Sequence, residues 1–323
     1  MDNVYIKGTG SYAPENVVKN DFFDAIGSSD EWIYSKLGIK ERRISTVEVT
    51  SDLAYKAGLK AIENANLTVD EIDLIIVATT TPDRPAPSCA CFVQDKLKAH
   101  KAVAFDVSAV CSGALFSIAI GVQFVKTGMY KNVLVIGADT FSSIIDWERR
   151  DAVFFGDGAG ALVLSATKED KGFIDFNLHS DGEGKEHFTV LAGGSETPAS
   201  AQTVANKMHY FKMNGKEVYD TATKVVPISI NEILAKNNLT IDDVDFMLPH
   251  QPSILILKEI AEKVNLPFEK VKTNMDRYAN TSGGTVPIIL DEVHRNNEFK
   301  TGDILLFAAV GAGWTWGTAL YKW

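Results

Sequence analysis

A weak internal repeat constrains the fold of this sequence more than any other feature. The stretch NLTVDEIDLIIVATTTP at 66–82 is echoed by NLTIDDVDFMLPHQPS at 238–253, which lies 172 residues later. Farther along, VKTGMYKNVLVIGAD at 125–139 is echoed by FKTGDILLFAAVGAG at 299–313, at an offset of 174. Two matches in the same order and at nearly one offset indicate duplication of a structural unit. Chance similarity of helix–loop–strand segments is the alternative.

Both halves alternate amphipathic helices with short strands that are apolar almost throughout. In each half a helix, at 52–65 and at 218–237, is followed by Asn-Leu-Thr, an acidic loop and a strand. Such strands are typical of parallel sheets that helices cover on both faces. We therefore predict an α/β protein with two mainly parallel sheets around shared central helices. The polar run ATKEDKG divides it into residues 1–168 and 169–323.

Composition excludes several classes of function. The 323-residue chain has a formal net charge of −10 and no Lys/Arg cluster that could neutralise nucleic-acid phosphates. Its longest nearly apolar segment, GALFSIAIGVQFV, has 13 residues and is too short to span a bilayer. The N-terminus lacks the pattern of a signal peptide, and three cysteines do not make a disulfide framework. We expect a cytoplasmic protein that binds neither nucleic acid nor membranes.

The repeat brings three polar residues to one side of the predicted sheets. An offset of 172 relates Cys111 to Gly283, within YANTSGGTVP, and relates His250 to Ala78 near a strand end. Cys111, His250 and Asn280 therefore all lie at strand ends or helix beginnings, where ligand sites form in open α/β sheets. For His250 a satisfied structural histidine is the alternative, and for Asn280 ordinary turn chemistry is the alternative.

Cys111 is the candidate nucleophile. The sequence FDVSAVCSGALF places it between a strand and a long apolar helix. We expect the partial positive charge of the helix N-terminus to lower the pKa of its thiol toward neutrality. The alternative, an inert buried cysteine, fits Cys89 and Cys91 better, because no partner residues are evident near them.

A glycine-rich stretch, GDGAGA at 156–161, is similar to a dinucleotide-binding fingerprint. That fingerprint requires a helix after the glycines, whereas the strand-like ALVLSA follows here. We predict a tight turn in its place. Residues with the spacing of a metal site are not evident either.

Seven separated motifs resemble the β-ketoacyl-acyl-carrier-protein synthase III family of the thiolase superfamily. They are DEWIYSKLGIKERRI, TPDRPAPSCACFVQDKL, DVSAVCSG, FGDGAGALVL, LPHQPS, NTSGGTVP and GAGWTWGTALYKW, and together they span essentially the whole chain. The resemblance implies a thiolase-like fold with αβαβα layers and a homodimer. It also implies a condensing acyltransferase whose substrates are acyl-CoA and a malonyl thioester on CoA or acyl carrier protein, without a cofactor.

By this resemblance, Cys111 takes an acyl group from acyl-CoA, while His250 and Asn280 promote decarboxylation of the malonyl thioester. The resulting enolate attacks the acyl-cysteine and releases a β-ketoacyl product. The backbone N–H groups of Cys111 and Ala312 would form the oxyanion hole.

The resemblance also implies a tunnel for the pantetheine arm of CoA. Trp32 would stack on the adenine ring with Arg149 opposite it, and the adjacent Arg150 is the alternative. A core aromatic is the other role open to Trp32. The family usually has His-Gln-Ala-Asn where this chain has His-Gln-Pro-Ser at 250–253. Ser253 thus replaces an asparagine that helps to hold the pantetheine arm.

Three more departures concern the carrier and the primer. Leu255 and Asp220 replace basic residues that usually help to receive the acidic carrier protein, so we expect weaker docking of that carrier. Ala86 replaces a phenylalanine that often crosses the dimer interface and closes the acyl pocket. The space gained fits several methylenes, each worth about 0.8 kcal/mol when buried. We therefore predict a medium-chain, branched or aromatic primer, in fatty-acid or polyketide-like biosynthesis.

Two other functions stay open. An acyltransferase or hydrolase acting on acyl-CoA would use Cys111 without forming a C–C bond, and a non-catalytic partner subunit would need no nucleophile. The presence of His250 and Asn280 favours condensation. A thiolase would need a second catalytic cysteine after Cys111, and elongating synthases usually have two histidines.

Overall fold

The computed structural model describes residues 2–323, and this range contains thirteen β-strands. The strands are β1 (Asn3–Tyr12), β2 (Val17–Lys19), β3 (Glu41–Arg43), β4 (Leu74–Ala78), β5 (Val103–Val107), β6 (Asn132–Asp139), β7 (Gly158–Thr167), β8 (Gly172–Ser180), β9 (Phe188–Val190), β10 (Phe211–Met213), β11 (Phe246–Pro249), β12 (Ile304–Gly311) and β13 (Thr315–Lys322). Because β7 begins at Gly158, the glycine-rich stretch runs into a strand, as predicted.

Nine α-helices connect these strands within the same residues. They are α1 (Asp30–Leu37), α2 (Thr50–Asn64), α3 (Cys89–Leu97), α4 (Gly113–Lys126), α5 (Ala201–Ala205), α6 (Gly215–Lys236), α7 (Ile254–Lys263), α8 (Met275–Tyr278) and α9 (Thr285–Arg295). None of the helices described is long and apolar enough to cross a membrane.

Two sheets form the framework of the molecule. The first has the strand order β1-β7-β6-β4-β5 and the second has the order β11-β12-β13-β8. Strand β4 pairs in parallel with β5 and β6, and β11 pairs in parallel with β12. Strands β7 and β13 run antiparallel to both of their neighbours. All the remaining strands of each sheet therefore point the same way. The predicted α/β class is confirmed, and the antiparallel strands β7 and β13 make both mainly parallel sheets mixed.

The two sheets repeat one pairing register at an offset of 172. Leu74 pairs with Val133 in the first sheet, and Phe246 pairs with Leu305 in the second. The short 3-10 turns before α4 and α9, at 110–112 and 282–284, obey the same offset. From the Thr-Gly pair to the next strand the chain is two residues shorter before β12 (301–303) than before β6 (127–131), which accounts for the offset of 174 in the sequence. The boundary at residue 168 stays a prediction.

Local chemistry at the helix ends is repeated as well. Asn66 and Asn238 adopt left-handed φ angles of 53° and 54° where α2 and α6 end, a conformation that asparagine tolerates well. Two residues later, the N–H groups of Thr68 and Thr240 each donate to a carboxylate three positions ahead. The Asn-Leu-Thr motif therefore ends one element and starts the next in both halves.

Helices and sheets alternate in five layers. Helices α2 and α3 pack on the first sheet, and α6 packs on the second and against α7. Helices α4 and α9 lie between the sheets and contact strands of both. The central core combines Leu115 and Ile118 of α4, Leu290 of α9 and strand residues such as Ile76 and Phe307. The α4 sequence is apolar on nearly every side because both sheets bury it.

Gly137 provides a test of how closely the two halves meet. A Cβ atom at this position would lie 2.0 Å from the backbone oxygen of Gly283. We expect Gly137→Ala to lower the free energy of unfolding by about 1–3 kcal/mol or more, because backbone cannot yield as a flexible side chain does. Thermal unfolding measures the effect. Gly194→Ala is the control, since a Cβ there would have no atom within 4 Å. Equal melting temperatures for the two variants would contradict the prediction.

Candidate active site

One cavity of about 340 Å³ collects the residues that the sequence singled out. Cys111, His250 and Asn280 line it together, although they are far apart in the chain and come from both halves. The lining also includes Trp32, Ser253 and Ala312. Most of the exposed wall is apolar and comes from residues such as Phe155, Phe188, Met213 and Trp314. The cavity can therefore receive an apolar chain that ends at a few polar groups.

Cys111 lies in the 3-10 turn that leads into α4, and its side chain is buried. Its Sγ atom is 3.6 Å from the Ser282 hydroxyl of the second half. The preceding residue, Val110, has a φ of 46°, which is rare for a β-branched residue and marks local strain. Its repeat equivalent, Ser282, has a φ of 50°. The sharp turn that positions the thiol is thus part of the duplicated design.

His250 follows β11 and is held at both its backbone and its side chain. Its backbone N–H donates to the Ala308 carbonyl over 2.8 Å, and Nδ1 lies 2.7 Å from the Thr285 hydroxyl. That hydroxyl donates to the Ser282 carbonyl over 2.9 Å, so its oxygen accepts a hydrogen from Nδ1–H. This tautomer leaves the lone pair of Nε2 available to accept a proton.

Asn280 has a fixed amide orientation. Its Oδ1 atom accepts the N–H of Ser282 over 2.8 Å, and its backbone N–H donates to the Phe154 carbonyl over 3.0 Å. Since Oδ1 is occupied by this bond, the Nδ2 group is the part of the amide available to a ligand as a hydrogen-bond donor.

Three positioning residues of the site escaped the sequence analysis. Thr285 orients His250, Ser282 contacts the thiol, and Asp139 joins the two halves. Asp139 is fully buried at the end of β6, and its carboxylate accepts the N–H of Gly283 over 2.9 Å. The sequence did contain a signal for Asp139. The repeat relates it to Gly311, which carries no side chain, so the two halves differ at this position by a carboxylate.

The prediction of a lowered thiol pKa is wrong. Burial raises the pKa of Cys111 to about 12, and the hydrogen bond to Ser282 opposes this only in part. Burial also lowers the pKa of His250 to about 3. Both groups are therefore neutral at pH 7, because loss of hydration outweighs the hydrogen bonds that favour the thiolate. Attack by the thiol then requires its proton to move to a neighbouring base.

The tunnel mouth shows which arginine faces Trp32. The Arg150 guanidinium lies over the indole ring at 3.9 Å from the ring centroid. Arg149, which the family resemblance placed opposite Trp32, instead donates two hydrogen bonds to the Asp151 carboxylate. The structure therefore replaces Arg149 by Arg150 as the partner of Trp32, because the turn at 150–154 directs the two adjacent side chains differently. The contact of either residue with CoA stays a prediction.

Other predicted site residues take less direct positions. The Ser253 hydroxyl caps α7 by accepting the N–H of Ile256, and the residue also lines the cavity. Ala312 lies in the turn between β12 and β13, where the Thr315 hydroxyl binds the carbonyls of Ala109 and Ala312. The oxyanion-hole assignment stays a prediction. Ala86 is exposed and does not line the cavity of its own chain.

Comparison with known proteins places this site in a family. Residues 105–182 match the family described as 3-oxoacyl-[acyl-carrier-protein] synthase III, and residues 234–323 match its C-terminal counterpart. The chain is 46% identical to a β-ketoacyl-[acyl-carrier-protein] synthase III of Caldanaerobacter subterraneus over 98% of this chain and 97% of the relative. It is also 46% identical to a Clostridioides difficile relative of that name, over 98% of both chains.

The chain belongs to the β-ketoacyl-acyl-carrier-protein synthase III family. Solved structures agree: the synthase III of Aquifex aeolicus superposes with a TM-score of 0.91 and 39% identity, covering 99% of this chain and 100% of that one. The priming β-ketosynthase of the R1128 polyketide pathway also gives a TM-score of 0.91, at 29% identity, covering 99% and 96%. The protein is therefore a thiolase-fold condensing acyltransferase, and the predicted family is confirmed.

The pKa of Cys111 leads to a test of its reactivity. Below a pKa of about 12 the thiolate fraction grows tenfold per pH unit, so alkylation by iodoacetamide should accelerate by about tenfold per unit from about pH 6 to about pH 9. Mass spectrometry of the peptide that contains Cys111 follows the reaction, and Cys111→Ala supplies the blank. A rate that reaches a plateau near neutral pH would contradict the prediction.

Thr285 provides a second test. Thr285→Val keeps the shape but removes the hydroxyl that orients the His250 ring, and we expect decarboxylation of malonyl-CoA to slow by at least about tenfold. Thr285→Ser is the matched control, because it keeps the hydroxyl and should stay close to the wild-type rate. Release of CO₂ measures the reaction. Equal losses in the two variants would refute the orienting role.

Proposed function

We propose that the enzyme condenses an acyl group from acyl-CoA with a malonyl-type thioester by decarboxylation. The observation that carries this proposal is the meeting of Cys111, His250 and Asn280 in one largely apolar cavity. Family membership supports the condensation itself. CoA as the carrier of the primer is supported by the aromatic–cationic pair of Trp32 and Arg150 at the mouth, which suits a purine ring.

Acylation begins when the primer thioester reaches Cys111. The thiol loses its proton to Nε2 of His250 as Sγ attacks the carbonyl carbon, and the carbonyl electrons move onto oxygen. The N–H groups of Cys111 and Ala312 would stabilise this oxyanion. Collapse of the tetrahedral adduct expels the CoA thiolate, which takes up the proton, and leaves an acyl-cysteine.

Decarboxylation then activates the extender in the same cavity. Loss of CO₂ leaves an electron pair on the α-carbon, and the negative charge is shared with the thioester oxygen. Asn280 Nδ2 would donate to that oxygen. Nε2 of His250 would also donate in the other neutral tautomer, which is reached when the Thr285 hydroxyl turns from the Ser282 carbonyl to donate to Nδ1. The α-carbon attacks the acyl-cysteine carbonyl, a C–C bond forms, and the Cys111 thiolate leaves. The thiolate then takes up one proton from solvent, which restores the neutral thiol. These steps need no cofactor, since decarboxylation supplies the electron pair.

The surface near the tunnel mouth bears on the carrier of the extender. Leu255 is exposed at the tunnel mouth, and Asp220 forms an ion pair with Lys216. Neither position offers the positive charge that an acidic carrier protein would meet, whereas Lys36 lines the cavity. The relatives are named for acyl carrier protein, so we propose that this carrier docks here through fewer charge pairs, or that malonyl-CoA replaces it.

We propose further that two copies of the chain form the working enzyme. Strand β5 is an edge of the first sheet, and its first residue, Val103, is exposed although the strand carries apolar side chains. Such an edge is suited to pairing with a second copy. Ala86 would then reach the partner's acyl pocket and leave space for a primer larger than acetyl. Cytoplasmic fatty-acid or polyketide-like synthesis is the setting that fits these substrates.

The decisive experiment is mass spectrometry of the intact protein after incubation with acyl-CoAs of increasing length and branching. We expect a mass gain of one acyl group that is absent in Cys111→Ala, with medium-chain or branched donors reacting faster than acetyl-CoA. Spectra recorded under native conditions report whether the acylated species is a dimer. Failure of every donor to acylate the wild-type protein would overturn the proposal. Acylation by acetyl-CoA alone would overturn its primer specificity.

A further inference from the structure

The side chain of Arg42, on β3, is fully buried between Asn20 and the turn at 150–154. Its guanidinium forms no ion pair among the residues described, which is unusual for a buried arginine. It also lies over the Phe23 ring at 4.6 Å. Burial lowers its pKa to about 10, so the group keeps its charge at neutral pH. A buried charge without a counter-ion is costly and calls for a physical reason.

On one side, Arg42 holds the turn that carries Arg150. One guanidinium nitrogen donates to the Val153 carbonyl over 3.0 Å, three residues after Arg150. On the other side, a second nitrogen donates to the Asn20 side-chain oxygen over 2.8 Å. Arg42 therefore spans two separate segments of the chain with two well-formed hydrogen bonds.

Asn20 continues the connection to the helix that carries Trp32. Its amide nitrogen donates to the Asp30 carboxylate over 2.8 Å and to the Ile39 carbonyl over 2.7 Å. These two residues lie at the beginning of α1 and just beyond its end. Asn20 thus fixes α1 at both ends, while its oxygen binds Arg42.

We infer that Arg42, acting through Asn20 and Asp30, is the positioning residue of the Trp32–Arg150 clamp. Arg150 in this clamp is exposed, and Trp32 is only half-buried although it packs against the hydrophobic core. A purine can enter between them only if they separate from the 3.9 Å contact while still facing each other. The buried network supplies a fixed base for both sides of that opening. The inference rests on the proposed use of CoA.

The test separates nucleotide recognition from catalysis. Arg42→Lys keeps the charge but cannot reach Asn20 and the Val153 carbonyl together. Asp30→Ala removes one link at an exposed position, where misfolding is not a concern. Asp30→Asn is its matched control, because it removes the same charge but keeps an oxygen that accepts from Asn20. Each variant is compared with the wild-type protein in CoA binding by calorimetry and in acylation of Cys111 by hexanoyl-pantetheine, which lacks the nucleotide.

We expect Arg42→Lys and Asp30→Ala to weaken CoA binding by about tenfold and to leave acylation by hexanoyl-pantetheine unchanged. Asp30→Asn should behave as the wild type in both measurements. Unchanged CoA binding in Asp30→Ala, or equal losses with CoA and hexanoyl-pantetheine, would overturn the positioning role. A wild-type protein that is acylated by hexanoyl-pantetheine but does not bind CoA would overturn the use of CoA, and this inference with it.

Discussion

The hydrogen bond between the Asp139 carboxylate and the Gly283 N–H is the contact on which the active site depends. One carboxylate oxygen binds the loop at 79–81 of the first half, and the other binds the turn before α9 of the second. Burial raises the pKa of Asp139, and these hydrogen bonds compensate for the lost hydration. Gly137 allows the backbones to touch at the same place. The junction holds the turn at 282–284, whose Ser282 contacts Cys111, against the first half.

The duplication is symmetric in structure but not in chemistry. The repeat equivalent of Asp139 is Gly311, and a Cβ there would lie 3.0 Å from the nitrogen of Cys111. The first half uses the Asp139 carboxylate to bind the turn before α9. At the equivalent position, the second half offers only the backbone of Gly311 to the turn before α4. A carboxylate at 311 would occupy the space beside the Cys111 N–H, and it would repel the oxyanion that we propose to bind there. In the proposed mechanism, one copy of the turn joins the two halves and the other is left free for a substrate.

The sequence predicted most of the fold and the three central residues. The apolar pattern of the strands, the internal repeat and the motifs can all be read from the order of the residues. The sequence left Arg149 and Arg150 both open as the partner of Trp32, since the direction of adjacent side chains in a short turn is decided by what each one contacts: Asp151 in one case and Trp32 in the other. It missed Thr285, which in the sequence is simply the first residue of a helix. Its contact with His250 exists only because two segments pack together.

The thiol pKa shows why site chemistry is harder to predict than site composition. The helix N-terminus is visible in the sequence and stabilises a thiolate, whereas burial depends on every wall of the cavity and acts in the opposite direction. The result is a neutral thiol beside a neutral imidazole. A protonated thiol is less readily oxidised than a thiolate. In the proposed mechanism the proton of Cys111 moves to His250 as Sγ attacks a thioester carbonyl, so reactivity would be coupled to substrate binding.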